Sequence, residues 1–324
     1  MSRTFSPLRY IFTKNIVLIT GVHGSGKSML TPIVSSLACC ENPRKEFTLG
    51  HIQALFHYGK ISKDVAKYML GAKIDFMLYD SLIGRNINMR FGDESSLWYA
   101  SNPGSLFSRL NRKKGKDIID NDIIRENANF LIDTHNSIWH SELWFECFPK
   151  IKIINMQRHP IDVINNWYKN GLGADIWENK LNQALTLQWE NKLVPYYAYG
   201  WEEQYINSSP IERVILMYDK VMKKHVESMN KIGKVNQRKI LNVYFEDMAL
   251  HPSKNIDRIC NLLQTVETLD TPISKAQERV PRKLDKADRF DKLTQISKLV
   301  GDDYIDIVNM HSRTYEEICL SSKL

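Results

Sequence analysis

A glycine-rich stretch near the amino terminus holds the residues whose types and spacing point most directly to chemistry. Gly21-Val22-His23-Gly24-Ser25-Gly26-Lys27-Ser28 fits the pattern G-x-x-x-x-G-K-[ST] and follows the apolar run Ile16–Thr20. Glycines let consecutive backbone N–H groups turn toward one anion, and a helix that begins there adds its positive dipole end. Lys27 adds a full charge, and the hydroxyl of Ser28 can bind an oxygen or Mg²⁺. The stretch predicts a phosphate-binding loop, and taken alone it favours ATP or GTP.

An arginine follows the third predicted strand. Residues 155–171, NMQRHPIDVINNWYKNG, place Arg158 after the apolar run 151–156 and before a helix predicted to begin near Ile161. Open α/β sheets bind ligands at the carboxyl ends of their strands, so Arg158 is expected at that edge. Asn166 lies eight residues further on, about two helical turns, and can face the same edge. The guanidinium can hold a phosphate with two hydrogen bonds, and a structural salt bridge is the open alternative.

Four short apolar, β-branched runs predict the elements that position these residues. They are Ile16–Thr20, Phe130–Asp133, 151–156 and 240–245. Each is followed by helix-like sequence, which is typical of a parallel sheet covered on both faces. The predicted fold is α/β: a three-layer P-loop-type parallel β-sheet flanked by helices, with helical insertions, in a single domain over residues 1–324.

The long intervals between strands predict the insertions. The interval of about 48–128 exceeds what a crossover needs, so it is predicted to form a lid or acceptor-binding element, with helices near 49–58 and 62–83. The interval of about 177–231 is predicted to be a helical block, and its aromatic residues are more typical of core than of ligand contacts. A last helical segment over 292–318 could pack on its own sheet or on a partner, which leaves the oligomeric state open.

Composition limits the partners. The chain has 44 lysines and arginines against 37 aspartates and glutamates, a net charge of +7 that suits an anionic ligand but does not predict nucleic-acid binding. The five cysteines lack metal-ligand spacing and are predicted to be free thiols in a reducing compartment. No signal-peptide pattern and no apolar run of about 18 residues is present, so a cytoplasmic location without membrane insertion is predicted.

The motif around the arginine resembles that of the PAPS-dependent sulfotransferases, where PAPS is 3'-phosphoadenosine 5'-phosphosulfate. Their second nucleotide motif is an arginine at a strand end, then x-Pro-x-Asp-Val, and a serine eight residues after the arginine. Arg158, Pro160, Asp162, Val163 and Asn166 stand in those places. In the family the arginine and the serine hold the 3'-phosphate, so the resemblance gives Arg158 that role. Asn166 replaces the serine and can still donate a hydrogen bond.

Three more stretches resemble the family in the same order. FLIDTHNSIW resembles a strand that ends in Lys-Thr-His, and it puts His135 in the place of the catalytic base. Without the resemblance, the local sequence favours His135 as a polar strand-end residue that bonds the backbone. NVYFEDMALHPSKNIDRICNLL resembles the Tyr-Glu-Asp strand and its helix, with Phe245 in place of a tyrosine that contacts adenine. ERVPRKLDK resembles a basic loop that closes on the 3'-phosphate, which gives Arg282 and Lys283 that role.

The glycine loop departs from that of most members, which is Pro-Lys-(Ser/Thr)-Gly-Thr-Thr. If Ser25 and Gly26 are aligned with its Ser-Gly, Gly24 stands at the usual lysine and Lys27 at a usual threonine. The positive charge has therefore moved along the loop. Asp133 stands where many members have a second lysine, so the contacts to the leaving phosphate differ from the usual ones.

The resemblance implies transfer of a sulfuryl group from PAPS to a hydroxyl or amine of an acceptor, with PAP as the product and no metal. It assigns catalysis to His135 and Lys27, and cofactor binding to Gly24, Ser25, Gly26, Lys27, Ser28, Arg158, Asn166, Phe245, Arg282 and Lys283. The polar and aromatic residues of 75–110 and 177–205 favour a saccharide acceptor. The alternative is a P-loop kinase that uses ATP and Mg²⁺, which the intact loop and Asp133 favour.

Overall fold

A five-stranded parallel sheet forms the centre of the molecule in the computed structural model, which describes residues 15–91, 96, 103–111, 128–174, 185–268 and 286–321. The strand order is β2-β3-β1-β4-β7, and β5 pairs with β6 in a separate antiparallel hairpin. The strands are β1 Ile16–Thr20, β2 Arg44–Lys45, β3 Phe130–Asp133, β4 Lys152–Gln157, β5 Thr186–Trp189, β6 Lys192–Pro195 and β7 Ile240–Tyr244.

Helices cover both faces of the sheet. They are α1 Lys27–Ser35, α2 Phe47–His57, α3 Lys63–Leu82, α4 Pro103–Leu110, α5 Ser141–Cys147, α6 Pro160–Lys169, α7 Glu202–Asn207, α8 Pro210–Lys231, α9 Lys234–Gln237, α10 Phe245–Leu250, α11 Pro252–Leu263, α12 Lys286–Ser297 and α13 Asp302–Ser321. Apolar residues of α1, α10 and α11 pack on one face, and those of α2, α3 and α5 on the other. A third cluster joins α6, α8, α12 and α13. The predicted α/β fold is confirmed.

The central strands are apolar along their whole length because both of their faces are covered. All residues of β1 and β3 are buried, as are the four inner residues of β4. In the register, Ile19 lies beside Asp133 and Thr20 beside Asn155. The carboxyl ends of β3, β1 and β4 therefore meet at one edge, where parallel sheets bind their ligands.

Two details differ from the sequence-based prediction. The block predicted as helical contains the β5–β6 hairpin, because Thr186–Trp189 and Lys192–Pro195 pair antiparallel around a turn at Glu190, whose φ of 50° lies in the left-handed region. The last strand ends at Tyr244, and Phe245 begins α10 instead of extending the strand. Helices α2 and α3 lie where the 49–58 and 62–83 patterns predicted them.

The carboxyl-terminal segment packs on its own chain. The stretch predicted as one helical tail forms two helices, α12 and α13, and both contact α6. Val308 of α13 is fully buried in the cluster that includes α8. Within the described residues, no helix combines the length and the apolar character needed to cross a lipid bilayer.

Candidate active site

The glycine loop connects the end of β1 to the start of α1. Gly24 and Gly26 adopt positive φ angles of 72° and 101°, which L-residues rarely tolerate, and the loop turns tightly as the Ser25 amide donates to Val22 O at 3.2 Å. The indole N–H of Trp167, on α6, donates to His23 O at 2.7 Å and joins the loop to the neighbouring helix. The predicted strand–loop–helix arrangement is therefore present.

Gly26 gives the first test of the loop. A Cβ added there would lie 2.6 Å from Cδ2 of Phe245 and 3.2 Å from Cε of Met156. We expect Gly26→Ala to lower the free energy of unfolding by about 1–3 kcal/mol, because the left-handed backbone and the contact both oppose a methyl group. The measurement is urea denaturation. Gly233→Ala is the matched control, since Gly233 has a φ of −64° and no atom within 4 Å of the added Cβ. Equal losses in the two variants would contradict the prediction.

Lys27 joins the loop to the strand-end histidine. Its side chain is only 5% exposed, and Nζ donates to Gly21 O and Val22 O, each at 3.2 Å. Nζ also lies 2.9 Å from Nδ1 of His135. When a charged ammonium donates to Nδ1, the neutral imidazole carries its ring proton on Nε2. The two residues predicted to be catalytic are therefore in direct contact.

The position of His135 follows from the end of β3. The amide of Thr134 donates to Ile19 O at 2.9 Å, and the amide of Ser137 donates to the Thr20 hydroxyl at 2.9 Å, so the backbone on both sides of the histidine is fixed. The ring keeps an exposed edge, yet the dense surrounding protein and the charge of Lys27 lower the pKa of His135. His135 is thus neutral at pH 7, the form that can accept a proton.

Arg158 lies against the loop. Its Nη1 donates to Gly24 O at 3.3 Å, and the guanidinium carbon sits 4.4 Å from the centre of the Phe245 ring. Within the described residues, the buried Nε has no hydrogen-bond partner and no salt bridge involves this arginine. The structural salt bridge considered from the sequence is therefore not formed in this part of the chain, and Nε stays without a partner there.

Asn166 reaches the same glycine from α6. Its Oδ1 lies 2.5 Å from the position that a Cβ on Gly24 would occupy. Arg158 and Asn166, eight residues apart in the sequence, therefore both contact Gly24, as the two-turn spacing predicted. The buried hydroxyl oxygen of Ser25 has no hydrogen-bond partner among the described residues.

The remaining predicted residues lie in different settings. Phe245 is 8% exposed and packs between Arg158 and Gly26, so its predicted contact with adenine stays a prediction. Ser28 is exposed in the first turn of α1. Arg282 and Lys283 lie outside the described residues. Asp133, which favoured the kinase alternative, is buried at the end of β3, with Oδ2 3.7 Å from Nζ of Lys45.

A cavity opens beside the loop. Its walls come from the start of the loop, the turn after His135, the end of β4, and helices α8 and α13. Residues on these walls include Asn136, Trp139, Gln157, Tyr218, His225 and Tyr315. Sequence reasoning missed this cavity because aromatic residues at helical spacing look the same whether they line a cavity or fill a core.

Sequence reasoning also missed a network of hydrogen bonds and ion pairs next to Arg158. Glu246 accepts hydrogen bonds from the amide of His159 at 3.3 Å and from Nη2 of Arg289 at 3.1 Å. Asp162 accepts from Nη2 of Arg289 at 2.9 Å and from Nζ of Lys292 at 2.7 Å. The cationic partners lower the pKa of Asp162 although burial opposes them. Only the Glu-Asp and x-Asp-Val motifs gave a signal, and neither revealed the partners.

A parallel sheet with a glycine loop between β1 and α1 is the arrangement of a P-loop α/β protein. Residues 14–298 match the family model described as a sulfotransferase domain, so the chain belongs to the sulfotransferase family. Members of this family generally use PAPS, and the chain is a PAPS-dependent sulfotransferase enzyme. The match does not favour the kinase alternative.

Three sulfotransferase structures are among the solved structures that the chain matches. The sulfotransferase domain from the Synechococcus PCC 7002 olefin synthase has a TM-score of 0.44 and 14% identity, over 95% of this chain and 98% of that one. The domain from the curacin biosynthetic pathway has a TM-score of 0.46 and 11% identity, over 92% and 97%. Sulfotransferase STF1 from Mycobacterium tuberculosis H37Rv has a TM-score of 0.44 and 8% identity, over 93% and 77%. No match was found among curated proteins.

Proposed function

We propose that this chain moves a sulfuryl group from PAPS to a hydroxyl or amine of a saccharide acceptor, with the crevice between β1 and β4 holding both phosphate-bearing ends of the donor. The observation that carries the proposal is that Lys27 and Arg158 both donate to carbonyls of the same loop, Lys27 at its start and Arg158 at Gly24. Two cationic groups flanking one glycine loop suit a ligand with two separate anionic groups.

The residues present fit such a donor. Arg158 Nε and Ser25 Oγ are buried polar atoms without partners in the described part of the chain, and buried polar atoms normally have one. The loop amides, Lys27 and Ser28 would hold the 5'-phosphate end. Arg158 and Asn166 would hold the 3'-phosphate. On the family resemblance alone, we extend the binding of the 3'-phosphate to Arg282 and Lys283.

The reaction needs charge stabilisation and one proton acceptor. PAPS, when bound, supplies the sulfuryl group and a nucleotide leaving group that gathers negative charge. Lys27 and the loop amides stabilise that charge where it develops. His135 can accept a proton only at a ring nitrogen with an available lone pair, and Lys27 occupies Nδ1. We infer that Lys27 moves from Nδ1 to the anion before His135 acts as the general base.

Ligand binding tests the donor. PAP at about one hundred times its Kd, with EDTA present, is expected to stabilise the folded state by about 2.7 kcal/mol, because a ligand that binds only the folded state adds RT ln(1 + [L]/Kd). The measurement is a thermal unfolding scan. 5'-AMP, which lacks the 3'-phosphate, is the matched control and should stabilise less. If ATP with Mg²⁺ stabilises the protein and PAP does not, the proposal is contradicted and the kinase alternative is favoured.

We propose a saccharide as the acceptor. The sequence predicts a saccharide, and the cavity beside the loop adds aromatic surfaces, among them Trp139, whose ring stacks on His140 with centroids 5.1 Å apart. Aromatic faces of this kind can contact either a sugar ring or an aromatic alcohol. Incubation with labelled PAPS and panels of glycans, phenols and lipids separates these classes. Label transfer to phenols or lipids alone would overturn the saccharide prediction.

A further inference from the structure

Glu246 is a carboxylate held at the back of the anion site by three hydrogen-bond donors. Oε1 accepts from the amide of His159 at 3.3 Å and from Nη2 of Arg289 at 3.1 Å. Oε2 accepts from the hydroxyl of Tyr315. The donors come from the β4–α6 turn, α12 and α13, so Glu246 joins the sheet edge to the carboxyl-terminal helices.

Glu246 directly follows Phe245, whose ring packs against the guanidinium of Arg158. Glu246 itself accepts a hydrogen bond from the amide of His159. The dipeptide Phe245–Glu246 therefore contacts the dipeptide Arg158–His159 at both residues. β4 and β7 are neighbours in the sheet, with Gln157 in register with Tyr244, which keeps the two dipeptides together. A carboxylate released from its donors here would pair with the guanidinium and repel a phosphate.

The side chain of Tyr315 is buried and held in place beside Glu246. Its side chain is 8% exposed, and the ring contacts His159 and Tyr244 edge-to-face, with centroids 5.5 Å and 5.7 Å apart. Burial and the nearby Glu246 raise the pKa of Tyr315 well above its usual range, so the hydroxyl stays protonated and keeps donating. α13 is also held at a second point, because His311 Nε2 lies 2.9 Å from Oδ1 of Asp219 on α8.

We propose that Tyr315 and Arg289 are positioning residues that hold Glu246 away from the guanidinium of Arg158 and so keep that guanidinium available for the 3'-phosphate. This inference rests on the proposed function. It concerns a helix outside the residues that the family model matches, since α13 spans Asp302–Ser321 and the match ends at residue 298. Arg289 contributes from α12, where it bridges Glu246 and Asp162.

Removal of one hydroxyl tests the inference. Tyr315→Phe keeps the ring and loses the donor to Glu246. The affinity for PAP should fall about three- to tenfold, a change equal to the loss of one ordinary hydrogen bond, because Glu246 keeps its other two donors. The affinity for 5'-AMP should change by less than about twofold, because 5'-AMP has no 3'-phosphate. Both constants are measured by calorimetric titration of the full chain.

Two further variants separate positioning from simple loosening of the helix. His311→Ala removes the other anchor of α13, at Asp219, and is expected to lower the melting temperature while leaving the ratio of PAP to 5'-AMP affinity unchanged. Tyr315→Phe combined with Glu246→Gln is expected to regain most of the preference for PAP over 5'-AMP, because the side chain released at position 246 no longer carries a charge. A purely structural role for the hydroxyl predicts no such recovery.

The outcomes distinguish this inference from the proposed function. If the unaltered protein binds PAP no better than 5'-AMP, the proposed function fails. If it prefers PAP and Tyr315→Phe keeps the full preference, only the positioning role fails. The same conclusion follows if His311→Ala reduces the ratio as much as Tyr315→Phe, or if Glu246→Gln restores nothing in the double variant.

Discussion

His135→Ala is expected to lower kcat by about a thousandfold, because the loss of a positioned general base typically removes two to four orders of magnitude. The affinity for PAP should change little, since Lys27 keeps its bonds to Gly21 O and Val22 O and the loop stays intact. The measurement is the single-turnover rate with labelled PAPS and the acceptor that the panel identifies. Calorimetric titration with PAP shows whether the site remains formed.

Asp133→Asn is the matched control for this prediction. Asp133 lies two residues before His135 on the same strand end, and its Oδ2 lies 3.7 Å from Nζ of Lys45. The amide is nearly the same size, and the residue has no assigned part in sulfuryl transfer, so most of the rate should remain. The opposite order, with the asparagine variant inactive and the alanine variant active, is the pattern of a kinase that organises Mg²⁺ through Asp133.

Arg158→Ala is expected to weaken PAP binding by about 2 kcal/mol, or roughly thirtyfold, because charge-assisted bonds to a phosphate are the strong class of hydrogen bond. 5'-AMP binding should change far less. Arg158→Lys should fall between the two proteins, because lysine keeps the charge but lacks the planar fork. Titration calorimetry gives all of these affinities. Equal losses for PAP and 5'-AMP would show that Arg158 supports the loop through Gly24 O and does not read the 3'-phosphate.

The sequence was sufficient for the central sheet and the loop because their signals are local. A strand buried on both faces must be apolar throughout, as Phe130–Asp133 is except for its last residue, and a loop that needs left-handed backbone shows glycine. The spacing of Arg158 and Asn166 likewise followed from helix geometry alone. These features needed no knowledge of distant contacts.

The features that sequence reasoning missed depend on long-range contacts. Glu246 and Tyr315 are far apart in the chain, and nothing near either residue predicts that they meet. The β5–β6 hairpin lies within a segment whose aromatic residues stand at helical spacing. That spacing predicted a helix where two short strands form. The ring of Phe245 packs against the guanidinium of Arg158, which lies 87 residues earlier in the chain and comes close only in the folded sheet.

The strand order sets a minimum length for any molecule that uses the whole site. His135 follows β3 and Arg158 follows β4, and these strands lie on either side of β1, from which the glycine loop departs. Neighbouring strands are about 4.8 Å apart, so the two outer ends are separated by about 10 Å. Inorganic phosphate or pyrophosphate is too short to bridge that span. Only a bound donor and acceptor that together extend from Arg158 across the glycine loop to His135 can use both ends at once, so the spacing of the strands contributes to ligand selection.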